Sequence, residues 1–270
     1  MNKKVEEFLS QVTILDTETT GVDFKESEVI EVAGGKYDNG QWIVKEMLLG
    51  SNNPIPVGAS AVNYISNKMI AGLPTFGDVT QEVNEIISLD NTEYMVAHNS
   101  NFDRRIMVAS YERINSNDFD KFKIQEDWIC TWKMAQQLLG HRYDEIKYSL
   151  SYLRYLLDLD VDDSLPPHRA ASDVITCGRL LEALLDIAIK YEFVDASKDI
   201  GPQLQKLCWQ PLMISKWPLG KHKGRLIKEV PTDYLLWCVD NIDLLNESHA
   251  KFDEDLAYTV AKVLEVRLEE

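Results

Sequence analysis

A chain of 270 residues can bury a sizeable core and hold one large domain, or one domain with a smaller companion. Hydrophobic residues make up 45% and charged residues 27%, and no segment approaches the apolar length that crosses a bilayer, so an ordinary soluble protein is expected and no membrane partner. The net charge of −16 argues against a generic nucleic-acid coat: long-range attraction to phosphate is missing, and any work on nucleic acid must use a local patch or metal ions.

The opening MNKKVEEFLS lacks the apolar centre of a signal peptide, and a cytoplasmic location is the default expectation. VTIL (12–15) predicts a short buried strand that delivers Asp16 at its carboxyl end. Residues 29–37 and 42–50 predict two strands around an Asp38-Asn39-Gly40 hairpin turn. Helices are expected at about 59–70 and 78–88, then a strand at 94–99 and a helix over 102–114. WICTWKMAQQLLG predicts a strand end and a helix, and SLSYLRYLLDL a further helix closed by Pro166 and Pro167. The longest amphipathic helix is expected over 170–193, with Val174, Cys177, Leu181 and Leu184 facing the core. This order predicts an α/β fold, a sheet with helices packed on it. The four cysteines, Cys130, Cys177, Cys208 and Cys238, show no CxxC spacing and read as reduced thiols rather than a zinc site.

A polar stretch follows the long helix, which predicts a domain over 1–194, a linker over 195–206 and a small C-terminal module over 207–270. That module holds eight Lys/Arg against eleven Asp/Glu, yet KWPLGKHKGRLIK gathers five of the eight cations within thirteen positions. It lacks the spacing of a phosphate-binding P-loop. A solvated hairpin with a basic tip is one reading; the other is a nucleic-acid-guiding patch of Lys221, Lys223 and Arg225, with Trp217 and Trp237 in the small core or stacked on bases. The uniformly apolar YLLWCV assigns Trp237 to the core.

Four separated carboxylates carry the chemistry. Asp16 and Glu18 lie two apart, so in an extended strand both leave the same face and can share a hard cation; a turn Asp followed by an exposed Glu is the alternative. Asp103 opens a predicted helix, where a carboxylate gains from the exposed amides, as a simple cap would also. His168 and Asp173 are five residues apart, which on an ideal helix splays them by about 140°. The prolines at 166 and 167 resolve this by leaving His168 in a loop while the helix holds Asp173. His168 could then take a proton from water, or serve only as a surface or capping residue. Converging acids repel one another without cations; two divalent ions, Mg²⁺ or Mn²⁺, about 4 Å apart would make them a platform for phosphoryl transfer.

ILDTETTG, AHNSNFDRR and HRAASDV, in this order and spacing, resemble the three motifs of the DnaQ-like, or DEDDh, family of 3′–5′ exonucleases over about residues 10–190. The resemblance implies an RNase H-like fold, with a mixed central sheet flanked by helices. It also implies release of nucleoside 5′-monophosphates from a free 3′ end. Asp16, Glu18, Asp103 and Asp173 would be the metal-binding acids and His168 the general base, a histidine where other branches use tyrosine. Thr17, Thr19, Asn63, His98 and Asn99 would lie near substrate; many relatives carry histidine at Asn63, so the grip on the nucleotide differs here. DNA, preferably single-stranded 3′ ends in repair, is the expected substrate. An exoribonuclease or oligonucleotide trimmer, and a proofreading subunit with a polymerase partner, are the competing readings.

Overall fold

The computed structural model describes residues 3–140, 146–166 and 168–269; of the two prolines expected to close a helix, Pro167 lies outside the described residues. The chain divides into two compact units: the first comprises Met1–Leu138 and Glu145–Cys208, the second Leu139–Asp144 and Trp209–Glu270.

The first unit is built on strands β1 (Val12–Thr19), β2 (Val29–Asp38), β3 (Gln41–Leu48), β4 (Tyr94–Ala97) and β5 (Ile129–Cys130). They form one mixed sheet in the order β3-β2-β1-β4-β5. β1 is antiparallel to β2 and parallel to β4. This is the expected α/β architecture. Asn39 and Gly40 both take left-handed φ (48° and 85°), the backbone of a two-residue hairpin that places Asp38 opposite Gln41. β1 runs four residues beyond the predicted 12–15, because pairing with β2 carries it on: Asp16 stands opposite Ala33 and Glu18 opposite Glu31. The register shifts between Glu18 and Thr19, a bulge that ends the regular pairing beside the acids.

Gly34 and Gly35 leave opposite faces of β2 and let a helix approach each one. A Cβ at Gly34 would lie 2.3 Å from the Ile86 carbonyl oxygen, at the end of α4 (Thr80–Ile86). One at Gly35 would lie 2.4 Å from the Val174 side chain on α8 (Ala170–Lys190). α8 therefore sits tightly on the sheet, with its Val174, Cys177, Leu181 and Leu184 stripe buried as expected. On the other face, Leu15, Met95, Ile106, Met107, Tyr111 and Trp128 form the core under α5 (Asn101–Arg113).

One element has no counterpart in the sequence reading: the opening segment is a helix, α1 (Lys3–Gln11), which buries Val5, Phe8 and Leu9 at helical spacing. Three local expectations are corrected. The helix expected over 59–70 is two short ones, α2 (Val57–Asn63) and α3 (Asn67–Ile70), broken where Tyr64 turns left-handed (φ 59°). The helix expected over 78–88 shortens to α4. The linker expected over 195–206 is largely a helix, α9 (Ile200–Trp209), with Ile200, Leu204, Leu207 and Cys208 buried at i, i+4, i+7 and i+8. Only its polar opening is a turn, where Asp195 accepts from the Ser197 amide and hydroxyl. α6 (Thr131–Leu139) and α7 (Leu150–Leu156) stand where the sequence places them.

In the second unit, α10 (Thr232–Asn241) and α11 (Glu254–Glu269) pack with a short hairpin over 216–226 around Trp217, Ile227, Leu235, Cys238, Leu256 and Val260. Trp217 is fully buried, whereas Trp237 is 53% exposed. The assignment of Trp237 to the core is therefore corrected. On α10, Leu235 and Cys238 face inward three residues apart, and the helical turn carries Leu236, Trp237 and Val239 outward.

The two β2 glycines should differ in tolerance. Gly34→Ala meets backbone and should lower unfolding stability by about 1–3 kcal/mol. Gly35→Ala meets one side-chain atom of the buried, β-branched Val174 and should also destabilise, by less than the backbone clash at Gly34. Urea-unfolding midpoints of the two variants check the order, and equal midpoints would contradict the packing described.

Candidate active site

β1 projects Asp16 and Glu18 from the same face at its carboxyl end, while Leu15 and Thr17 point into the interior. α8 brings Asp173 to them in its first turn. One carboxylate oxygen from each of Asp16, Glu18 and Asp173 lies within 4.8 Å of the others. Asp103, in the first turn of α5, is buried behind this group. Its Oδ1 accepts from the Thr17 amide (3.0 Å) and the Thr17 hydroxyl (2.8 Å), so Thr17 fixes Asp103.

The start of α8 is held by an ion pair that sequence reading missed. Glu31 on β2 is fully buried and accepts from Arg169 Nη2 at 2.6 Å, from Arg169 Nε at 3.1 Å, and from the Ala170 amide at 2.9 Å. Glu31 stands opposite Glu18 in the ladder, where like charges repel. Arg169 neutralises one of the two and pins the helix that carries Asp173. The signals were an acid inside the apolar VIEVAGG and an arginine beside His168; their pairing spans 138 positions. His168 lies outside the helix, exposed and left-handed (φ 59°), and its amide donates to Asp173 Oδ2 at 3.1 Å. It occupies the loop position the prolines predict.

The electrostatics follow from burial and crowding. Burial raises the Asp16 carboxyl well above its usual range, and the charges of Asp103, Asp173, Glu18 and Glu31 raise it further. Burial, then Asp173, Glu31 and Asp103, push Glu18 to about 8. Asp103 is pushed up to about 7 by burial, against the hydrogen bonds from Thr17 that favour its charged form. Asp173 rises to about 6 through burial, opposed by His168. A cluster that resists ionisation while presenting hard oxygen donors this close fits a divalent cation, which supplies the missing positive charge.

Asp16, His98, Asn99, Trp132, Tyr148, His168 and Asp173 line a cleft of about 700 Å³. His98 is held neutral, its pKa lowered to about 4 by burial. Its Nε2 donates to the Tyr148 carbonyl (2.8 Å), which leaves Nδ1 to accept from the Thr131 hydroxyl (2.9 Å). His98 thereby fixes the segment bearing Tyr148, whose ring meets Trp132 edge-on at 6.5 Å. Thr19 donates to the Gly21 carbonyl at 2.6 Å. Asn63 is buried, donates to the Thr19 carbonyl at 3.2 Å and accepts from the Ile65 amide at 3.0 Å. Both side chains brace backbone, and contact with substrate would require exchanging those bonds. Lys221, Lys223 and Arg225 belong to the second unit.

Three carboxylates on a strand end and a helix start, with a histidine at the same cleft, define the site of a metal-dependent phosphodiester-cleaving nuclease. Residues 13–181 match the RNase_T exonuclease family model, and the chain belongs to that family. It is 27% identical over 240 residues to exodeoxyribonuclease 10 of Escherichia coli (strain K12), covering 86% of this chain and 92% of the relative. It is 27% identical over 199 residues to DNA polymerase III subunit epsilon of Treponema pallidum (strain Nichols), covering 72% of this chain and 86% of the relative. Among solved structures, exonuclease X in complex with 5′ overhanging duplex DNA superposes with a TM-score of 0.51 and 26% identity, over 73% of this chain and 99% of that one. E. coli exonuclease I with a dT13 oligonucleotide shares the fold at a TM-score of 0.54 and 13% identity, over 67% of this chain and 42% of that one.

Arg169→Met leaves Glu31 buried without its cation and should lower stability by about 3–5 kcal/mol. Adding Glu31→Gln should restore part of the loss, which urea unfolding of the single and double variants measures; additive losses would contradict the pairing. The raised carboxyls predict a pH dependence as well. Each holds its proton to higher pH folded than unfolded, so between the ordinary range near pH 4 and the folded values of about 6 to 8 the folded state binds more protons. Metal-free stability should accordingly fall as pH rises through that window. Mg²⁺ should raise Tm more at about pH 8 than at about pH 5.5, and an equal rise at both would count against a metal-binding cluster.

Proposed function

We propose that the chain is a metal-dependent 3′–5′ exodeoxyribonuclease. It removes nucleoside 5′-monophosphates from DNA 3′ ends, single-stranded ends preferred, with two divalent ions, Mg²⁺ or Mn²⁺. The observation that carries this reading is the meeting of Asp16, Glu18 and Asp173 within 4.8 Å. When bound, such ions polarise the phosphodiester and neutralise charge on the departing oxygen. Asp16, Glu18 and Asp173 would hold them, with Asp103 contributing from behind through the orientation Thr17 gives it. A ring nitrogen of His168, exposed in the same cleft, takes the proton from the attacking water. Trp132 and Tyr148 offer an apolar wall against which the terminal nucleoside packs.

DNA as substrate follows from the likeness to exodeoxyribonuclease 10, which spans 86% of this chain. The likeness to the polymerase subunit spans 72% of it. That difference favours a free-standing enzyme over a proofreading subunit; cytoplasmic DNA repair is the setting this reading assigns to it.

Purified protein with Mg²⁺ or Mn²⁺ should shorten matched single-stranded DNA, duplex DNA and RNA in that order of preference, with 5′-mononucleotides as product. Brisk RNA degradation beside inert DNA would replace the substrate assignment with an exoribonuclease. Asp173→Asn should abolish turnover, and His168→Ala should lower kcat by roughly 10²- to 10⁴-fold; wild-type rates in His168→Ala would remove it as the base.

A further inference from the structure

The second unit carries a face that the cleft does not use. The 216–226 hairpin closes through Trp217 N–H to Arg225 O and Gly224 N–H to Trp217 O, both 2.8 Å. Its tip turns at Gly220 and Gly224, both left-handed (φ 59° and 83°). A Cβ at Gly220 would meet the Tyr234 hydroxyl at 2.8 Å, so glycine brings the tip against α10. Tyr234 is the centre of the resulting cluster. Lys221 Nζ lies 4.7 Å from its ring centroid, the His222 ring 4.6 Å away edge-on, and the Trp237 ring 5.9 Å away and stacked at 23°.

Two features of this face need a partner. Trp237 is 53% exposed although one side is covered by Tyr234, and Leu236 and Val239 beside it are also open. Lys216, Lys221, Lys223, Arg225 and Lys228 are exposed, and among the described residues none forms an ion pair, in a chain with 44 acids to 28 Lys/Arg. Elsewhere Lys121, Lys123, Lys198 and Lys262 pair with acids while Lys25, Lys45, Lys68 and Lys206 form no ion pair among the described residues, so what sets these five apart is their gathering within thirteen positions that span one hairpin. Exposed cations on the hairpin beside a supported, half-exposed indole match a polyanion that carries planar rings, and a nucleic-acid strand repeats both at every nucleotide.

We infer that this face is a second contact for single-stranded nucleic acid, with a base stacked on Trp237 and backbone phosphates met by Lys221, Lys223 and Arg225. The contact is blind to sequence, since every base has a stacking face. The inference rests on the proposed action on nucleic acid, and it places part of the grip on a strand outside the cleft.

Binding of fluorescein-labelled oligo-dT of about 20 nucleotides to the full chain in EDTA, where turnover is stopped, tests it. Trp237→Ala should weaken Kd at least about fivefold with the salt slope unchanged, and Trp237→Phe should recover most of the loss. Lys221→Gln/Lys223→Gln/Arg225→Gln should lower the slope of log Kd against log salt by about two. Val266→Ala, which removes an equally exposed apolar side chain on α11, should bind like wild type. Wild-type affinity and slope in the Trp237 and triple variants, or binding to phosphatidylserine vesicles in place of oligo-dT, would overturn the inference. A chain that binds oligo-dT through Trp237 yet never shortens it with Mg²⁺ or Mn²⁺ would instead count against the exonuclease reading alone.

Discussion

Everything in the first unit is arranged around the repulsion between acids gathered at one end of β1. Asp16, Glu18 and Asp173 crowd together, Asp103 lies behind them, and Glu31 faces Glu18 across the ladder. Burial and mutual charge push the first four toward their neutral forms. Glu31 alone has a full partner inside the protein, with two nitrogens of Arg169 and the Ala170 amide on its oxygens. Neutralising that one acid anchors the start of α8 and leaves the other charges uncompensated. The remaining deficit of positive charge is what makes the cluster a cation site rather than a salt-bridge network.

Pre-organisation of the site then follows from packing rather than from the acids themselves. Gly35 lets α8 lie close on β2, the Glu31–Arg169 pair fixes its first turn, and Thr17 sets the rotamer of Asp103 from within β1. His98 does comparable work across the cleft, holding the Tyr148 carbonyl from a ring kept neutral by burial. A neutral, fully bonded His98 is a poor base, and the proposed function assigns that role to the exposed, left-handed His168 instead.

The acids, the sheet and the long helix were legible because their signals are local: alternation in the strands, a 3.6-residue stripe from Val174 to Leu184, and prolines ahead of His168. What escaped depended on distance or on direction. Glu31 and Arg169 meet only because β2 and α8 are neighbours, which no spacing reveals. β1 outran its apolar run because β2 offers a ladder to Asp16 and Glu18, overriding the weak strand preference of those acids. α9 was hidden by the polar turn at Asp195, although its own apolar spacing is regular. YLLWCV misled by composition: on a helix packed along one side, six consecutive apolar residues cannot all face inward, and the rotation that buries Leu235 and Cys238 must expose Trp237.

That forced exposure bears on how so acidic a chain handles a polyanion. With −16 overall, the far field repels DNA, and affinity has to come from contacts that act at short range. Cations in the cleft can neutralise the phosphate being cut, but they do so for the nucleotides inside it and not for the strand that trails away. Stacking is a short-range term that the net charge does not weaken, and unpaired lysines beside an indole add attraction within a Debye length of the phosphates. A nuclease built on an acidic surface therefore gains most from an aromatic, locally basic contact outside its cleft, which is the character of the hairpin and α10 in the second unit.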